Sequence, residues 1–176
     1  MAEEPDIDGV DGWLLARAEA VDIDALMTWF ADEQSVNVWG GPKFRYPFNS
    51  ESFAEDCHVN EMATFALHNP GKVFCAFGQM YARDERINLA RLVAHPRMRG
   101  QGIGNRLMQM LMMVGPSLFT LGEFSLYVYR DNTSALNCYR SRGFEIQDYP
   151  ANQPWADVCY FLTRPVEMQN ETTRGE

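Results

Sequence analysis

Hydrophobic and polar positions change period several times along the chain, and each change marks an element. Trp13-Leu14-Leu15-Ala16-Arg17-Ala18 is a short apolar run that predicts a strand. Ala25, Leu26, Met27, Trp29 and Phe30 recur at helical spacing behind Asp22 or Asp24 as cap, and predict a helix. From Asp32 to Phe48 the pattern breaks up, and Trp39–Pro47, with Gly40, Gly41 and Pro42, is predicted to be an aromatic loop. Ser50 followed by Glu51, Glu55 and Asp56 opens like a capped helix. The period then falls to that of a strand in Thr64–Leu67, Val73–Tyr81 and Ile87–Ala94. Asn69-Pro70-Gly71-Lys72 and Arg83–Arg86 are short turns between them, so the three runs predict an antiparallel meander.

After the third strand, His95-Pro96 leads into a glycine-rich turn, Arg97-Met98-Arg99-Gly100-Gln101-Gly102-Ile103-Gly104-Asn105. A helix is predicted to follow as far as about Val114, stopped by Gly115-Pro116, with Ile103, Leu107, Met110, Leu111 and Val114 on its core face. Its methionines read as core filling. Phe124–Tyr129 alternates as a strand, Asn132–Arg142 reads as a helix ended by Gly143, and Glu145–Tyr149 and Asp157–Thr163 are the last two predicted strands. No repeat and no linker interrupts residues 1–166, which read as one α/β domain; the polar end, 167–176, is expected to fray.

The strand, glycine turn, helix order has a chemical meaning. Glycines let backbone N–H groups approach an anion, and the helix N-terminus adds a partial positive charge, so residues 97–105 read as a pyrophosphate cradle. A net charge of −9 and a pI near 4.8 argue against nucleic acid and lean towards a cationic substrate such as an amine. The acidic start, Met1–Asp6, lacks the apolar core of a signal peptide, and no run approaches the length of a membrane span. Cys57, Cys75, Cys138 and Cys159 are scattered without metal spacing and read as buried free thiols. Together these point to a cytoplasmic protein without a bound metal.

Arg99-Gly100-Gln101-Gly102-Ile103-Gly104 after Val93-Ala94-His95-Pro96, followed about thirty residues on by Asn132, Ala135, Tyr139 and Gly143-Phe144, resembles the GNAT superfamily of acetyl-CoA-dependent N-acetyltransferases. The family pattern (Arg/Gln)-x-x-Gly-x-(Gly/Ala) is met from both Arg97 and Arg99. A dinucleotide fold would carry its glycines on the first strand–helix unit, and a Walker loop would continue Gly-Lys-Ser/Thr; neither spacing is met.

The resemblance implies a single α/β (α+β) domain. Its mixed, mostly antiparallel sheet of six to seven strands would have helices on both faces and a split between the fourth and fifth strands. It implies an enzyme that moves an acetyl group from acetyl-CoA to a primary amine by direct attack in a ternary complex. Backbone groups of Leu92, Val93 and Ala94 would meet the pantetheine arm, with the Val93 N–H polarising the thioester. Amides of Gly100, Gln101, Gly102, Ile103, Gly104 and Asn105 would hold the pyrophosphate. Arg99 would add charge, and Asn132 and Ala135 would contact the cofactor. Tyr139 would be the general acid that reprotonates the thiolate.

Relatives place a catalytic glutamate where this chain has Tyr127, or at Asn88, Ala90 or Leu92, so the base would be ordered water, Glu33 or His95. That absence leaves an alternative, a catalytically silent acyl-CoA-binding module. Trp39, Phe44, Tyr46 and Tyr127 are the expected acceptor wall, with Tyr129 and Trp155 as further candidates. Many relatives form homodimers.

Overall fold

The computed structural model describes residues 7, 8 and 10–167, so the expectations for the acidic start and for residues 168–176 lie outside it. One sheet runs through the molecule in the order β1-β2-β3-β4-β5-β6-β8-β7. Its strands are β1 (Ile7–Asp8), β2 (Leu14–Arg17), β3 (Ala63–His68), β4 (Phe74–Arg83), β5 (Arg86–Ala94), β6 (Glu123–Tyr129), β7 (Glu145–Gln147) and β8 (Cys159–Pro165). Every neighbouring pair is antiparallel except β5 and β6. The two-residue edge strand β1 makes the total eight, one more than the sequence predicts.

Two apolar layers hold the sheet. On one face lies α4 (Ile103–Leu118), whose Leu107, Met108 and Leu111 are buried against Met80, Ile87, Phe124 and Leu126. Each such side chain contributes about 1.5–3 kcal/mol on burial. The other face is covered by α1 (Ala20–Met27), α2 (Glu33–Gly40) and α3 (Ser50–Asp56) around Leu26, Val36, Phe53 and Phe77. α5 (Thr133–Ser141) lies beside α4.

Several boundaries differ from the sequence reading. Helix α2 occupies part of the stretch expected to be loop. It is held at its start by Asp32, whose Oδ1 accepts from Ser35 N–H at 2.8 Å while Asp32 N–H donates to Ser35 Oγ at 3.3 Å. α1 starts at Ala20, ahead of Asp22, because Asp22 instead reaches back to accept from Glu19 N–H. α3 is capped by Asn49, not Ser50, through a 2.9 Å bond from Ser52 N–H. α4 runs through Gly115-Pro116 to Leu118. Gly115 is there for packing, since a Cβ at that position would stand 2.9 Å from Phe124 Cε1. The last two strands are β7, shorter than expected, and β8, shifted two residues along.

Candidate active site

The site begins where the sheet fails to close. β5 and β6 pair only at Ile87–Phe124 and Asn88–Ser125, and beyond these positions they diverge. A β-bulge marks the same region: Phe77 faces Val93 and Gln79 faces Ala90, so Arg91 and Leu92 together oppose Gly78. Arg91 takes φ 51, a left-handed value that is costly for a residue with a Cβ. Bonds from β4 and from the helical layer hold it there. Its Nη1 donates to Gln79 Oε1 at 3.0 Å, its Nη2 to Asp56 O at 3.2 Å, and its carbonyl accepts from Trp39 Nε1 at 2.8 Å. Gly78 is required opposite, because a Cβ there would lie 2.9 Å from both Leu92 Cδ2 and Leu111 Cδ1. The result is a cleft of about 1370 Å³ that runs through the split.

Ladder parity decides which backbone groups face it. His95 N–H donates to Cys75 O at 2.8 Å, and hydrogen-bonded pairs in an antiparallel ladder recur every second residue. With Val93 opposite Phe77, the Val93 N–H and C=O therefore turn towards β4. Leu92 and Ala94 are left with their backbone groups towards the split. The expected thioester contact thus moves from Val93 to Leu92.

At the mouth of the cleft, a 3-10 turn at Pro96–Met98 leads to Gly100 and Gly102, both at φ 76. Gly102 caps α4 with no side chain, so the first amides of the helix point into open space. A Cβ at Gly100 or Gly102 would meet nothing within 4 Å, which leaves room for an anion against the backbone. Arg99, Ile103, Gly104 and Asn105 also line the cleft, whereas Gln101 is exposed outside it. The Asn105 side chain is taken up by α5, accepting from Arg142 Nε at 3.1 Å and Ser141 Oγ at 3.2 Å, which leaves its amide to the cradle.

Across the cleft, Asn132 caps α5 by accepting from Ala135 N–H at 3.2 Å. One face of that helix brings Ala135, Cys138 and Tyr139 to the cleft. The Tyr139 hydroxyl has no hydrogen-bond partner among the described residues. Burial first, and neighbouring Cys138 second, raise its pKa well above the ordinary tyrosine value. A neutral hydroxyl left without a partner at the edge of the cleft is free to donate its proton to a bound group.

Of the expected acceptor wall, Trp39 and Tyr127 line the cleft, as do Tyr129 and Trp155. Phe44 does not: it is 5% exposed in the core of the helical layer, packed on Trp39 and Phe53. Tyr46 stands outside the cleft with its ring edge-on to Phe48. Glu33 is exposed away from the cleft, and His95 packs on Trp29 with Nδ1 accepting from Arg97 N–H. Asp32 is the only carboxylate among the lining residues. The sequence reading also missed Tyr81, Arg83 and Tyr149. Strand alternation could have found the first two, which share the Gln79 face of β4.

Comparison with known proteins agrees with this architecture. The profile of the acetyltransferase (GNAT) family matches residues 23–144. The fold is similar to that of the ribosomal-protein-S18-alanine N-acetyltransferase from Escherichia coli, at 21% identity and a TM-score of 0.61 over 91% of this chain and 97% of that one. It is also similar to the spermidine N-acetyltransferase from Vibrio cholerae, determined with CoA and spermine, at 14% identity and a TM-score of 0.69 over 88% and 96%. A GNAT-family acetyltransferase from Streptococcus pneumoniae matches at 17% identity and a TM-score of 0.61 over 88% and 99%. Among the described residues no helix is long and apolar enough to cross a membrane. With its bulged β5, its split sheet and its glycine turn, the chain belongs to the GNAT family of acetyltransferases.

Proposed function

We propose that the protein transfers an acetyl group from acetyl-CoA to the primary amine of a small molecule or peptide, by direct attack in a ternary complex. The observation that carries this reading is that the open glycine cradle and the unpartnered Tyr139 hydroxyl line one continuous cleft, on either side of the split. Bound acetyl-CoA would supply the thioester carbonyl and a thiolate leaving group. The amides of Gly100 and of residues 102–105 would hold its pyrophosphate, with Arg99 adding charge at the rim. Asn132 and Ala135 border its path. Backbone groups of Leu92 and Ala94, left over from the ladder, would bond the amides of its arm, and the Leu92 N–H would polarise the carbonyl.

As the amine nitrogen bonds to the carbonyl carbon and the carbon–sulfur bond breaks, Tyr139 donates its proton to sulfur. The amine gives up its own proton to solvent in the open cleft, and Tyr139 is reprotonated from the same solvent. Direct attack is favoured over an acetyl-cysteine intermediate. Cys138 and Cys159 line the cleft, but burial raises both thiol pKa values, so neither is a ready thiolate.

The test is a panel of amines and peptides scored by release of free thiol from acetyl-CoA, with initial rates varied in both substrates. Intersecting double-reciprocal lines are expected. Tight acetyl-CoA binding without thiol release for any acceptor would identify a silent acyl-CoA-binding module instead. Parallel lines would point to a covalent intermediate.

A further inference from the structure

We propose that the acceptor amine carries a carboxylate several ångströms from its nitrogen, across a flat apolar spacer, and that Arg83 receives that carboxylate. The inference rests on the acetyltransferase reading above and deepens it.

The face of the sheet opposite α4 presents Tyr81 and Arg83 from β4, Asn88 and Ala90 from β5, and Tyr127 from β6 to the cleft. The loop between β7 and β8 folds over this face, with the Tyr149 ring 5.6 Å from that of Tyr127. Arg83 lies flat here: its Cζ is 4.5 Å above the Tyr127 ring, Nη1 donates to the Tyr81 hydroxyl at 3.3 Å, and Nη2 donates to Gln153 Oε1. Its Nε is 3.8 Å from the exposed carboxylate of Asp84, beyond hydrogen-bond distance, so that pair neutralises little. Each terminal nitrogen keeps a second hydrogen beyond these bonds, and a fixed guanidinium fork matches a carboxylate.

Charge in the cleft runs opposite to that of the chain. Net charge is −9, yet the lining holds Arg83, Arg91 and Arg99 against Asp32 alone, and Asp32 Oδ1 is already occupied by the α2 cap. Arg91 also lines the cleft, but its terminal nitrogens are committed to Gln79 Oε1 and to the carbonyls of Asp56 and Cys57 and its unpartnered Nε is buried, which leaves Arg83 as the arginine on the acceptor side with terminal donors to offer. A polyamine would bring ammonium groups to this arginine in place of carboxylates, a repulsive match. The Tyr127 ring already carries Arg83 and packs on Phe161, and the rings of Tyr149 and Trp155 on the cleft suit a flat spacer.

The position of the bulge sets the length. Continued past the last paired positions, Asn88 and Ser125, the register would set Tyr127 across the split from Ala90. Leu92 is two residues further along β5, across the bulge at Arg91, which is at most roughly 7 Å at the rise of a strand.

The experiment uses the full chain with saturating acetyl-CoA and compares 4-(aminomethyl)benzoate, benzylamine and spermidine by thiol release. The carboxylate lies across the ring, so the two benzylic amines have similar basicity. The expected result is a kcat/KM at least about tenfold higher for 4-(aminomethyl)benzoate than for benzylamine, carried by KM. In Arg83→Gln that ratio should fall to near one through KM, and Arg83→Lys should keep part of it. CoA affinity in both variants reports that the fold is intact, and the wild-type pair stands without them. Equal rates for the two benzylic amines, spermidine as the best acceptor, or a ratio that survives Arg83→Gln would each overturn the inference while leaving acetyl transfer in place. Absence of thiol release with any acceptor would overturn both.

Discussion

Replacing Gly102 by alanine adds one methyl group at the start of α4, and its effects on folding and on binding separate cleanly. On the folding side the methyl meets no atom within 4 Å, so the cost is that of holding alanine at φ 76. That is about 1–2 kcal/mol, partly offset by the lower entropy of the unfolded chain. For a protein of this size the melting temperature should fall by only a few degrees, at roughly 2–4 °C per kcal/mol. On the binding side the methyl enters the space where the phosphates would sit, and a backbone bond to a charged group is lost. At about 1.5–3 kcal/mol for such a bond, the Kd for CoA should rise by roughly 10- to 150-fold. Calorimetric titration with CoA, beside thermal melting, reads both quantities. Turnover with S-acetylpantetheine, a donor without the pyrophosphate, should be little changed by the same substitution. A CoA Kd within twofold of wild type, alongside the expected drop in melting temperature, would refute the cradle.

Tyr139→Phe should lower kcat by about a hundredfold with CoA affinity within twofold, since only the proton donor is removed; an unchanged kcat in steady-state assays would dismiss that role. With Asp32 the one carboxylate among the described residues that line the cleft, kcat/KM should climb about tenfold per pH unit up to the pKa of the acceptor amine itself, and a plateau below pH 8 would reveal a base on the protein. The raised pKa of Tyr139 works in the same direction: the hydroxyl keeps its proton above pH 10, so any alkaline fall in rate should begin beyond that point. Burial pushes the Cys57 thiol up to about 12, from 9.0 for a free thiol. Between those values the folded chain holds a proton that the unfolded chain has lost. Stability should therefore be complete below pH 9 and fall above it, by about 1.4 kcal/mol per unit. Urea midpoints at pH 8 and pH 10 should converge in Cys57→Ala, though not fully, because Cys75 is pushed up to about 11 as well. An identical pH slope in the variant would refute this.

The elements around the glycine turn were legible because their signals are local. Apolar spacing placed Leu107, Leu111 and Val114 on one face of α4, and Asn132 and Gly143 bracketed α5. Helix α2 was not legible, since only Val36 of its eight residues is buried and its capping box closes with Ser35 where glutamate or glutamine is the usual sign. Gly115-Pro116 misled for a tertiary reason: the glycine makes room for Phe124, and the last turn of the helix tolerates the proline. The bulge left no mark in sequence because Arg91, and not a glycine, takes the left-handed conformation, held by Gln79, Asp56 and Trp39 from three other elements. Without the bulge the parity of β5 could not be assigned, and so Val93 was favoured over Leu92 and Ala94. Phe44 was misplaced because an aromatic residue among glycines and prolines looks the same in a loop wall as in a small core.

The two-residue join between β5 and β6 has a consequence for solubility. An unpaired strand edge is a template for another chain, and proteins normally blunt it with charge, proline or a cover. Here the open stretch of β5 faces inward across a wedge whose far wall is β6, itself paired on its other side to β8. A neighbouring molecule would have to bring a whole strand and its side chains into that gap, whereas a slender, amide-bearing ligand can enter it end-on. The same geometry that turns the backbone groups of Leu92 and Ala94 towards the split therefore also shields them from edge-to-edge pairing with a second copy.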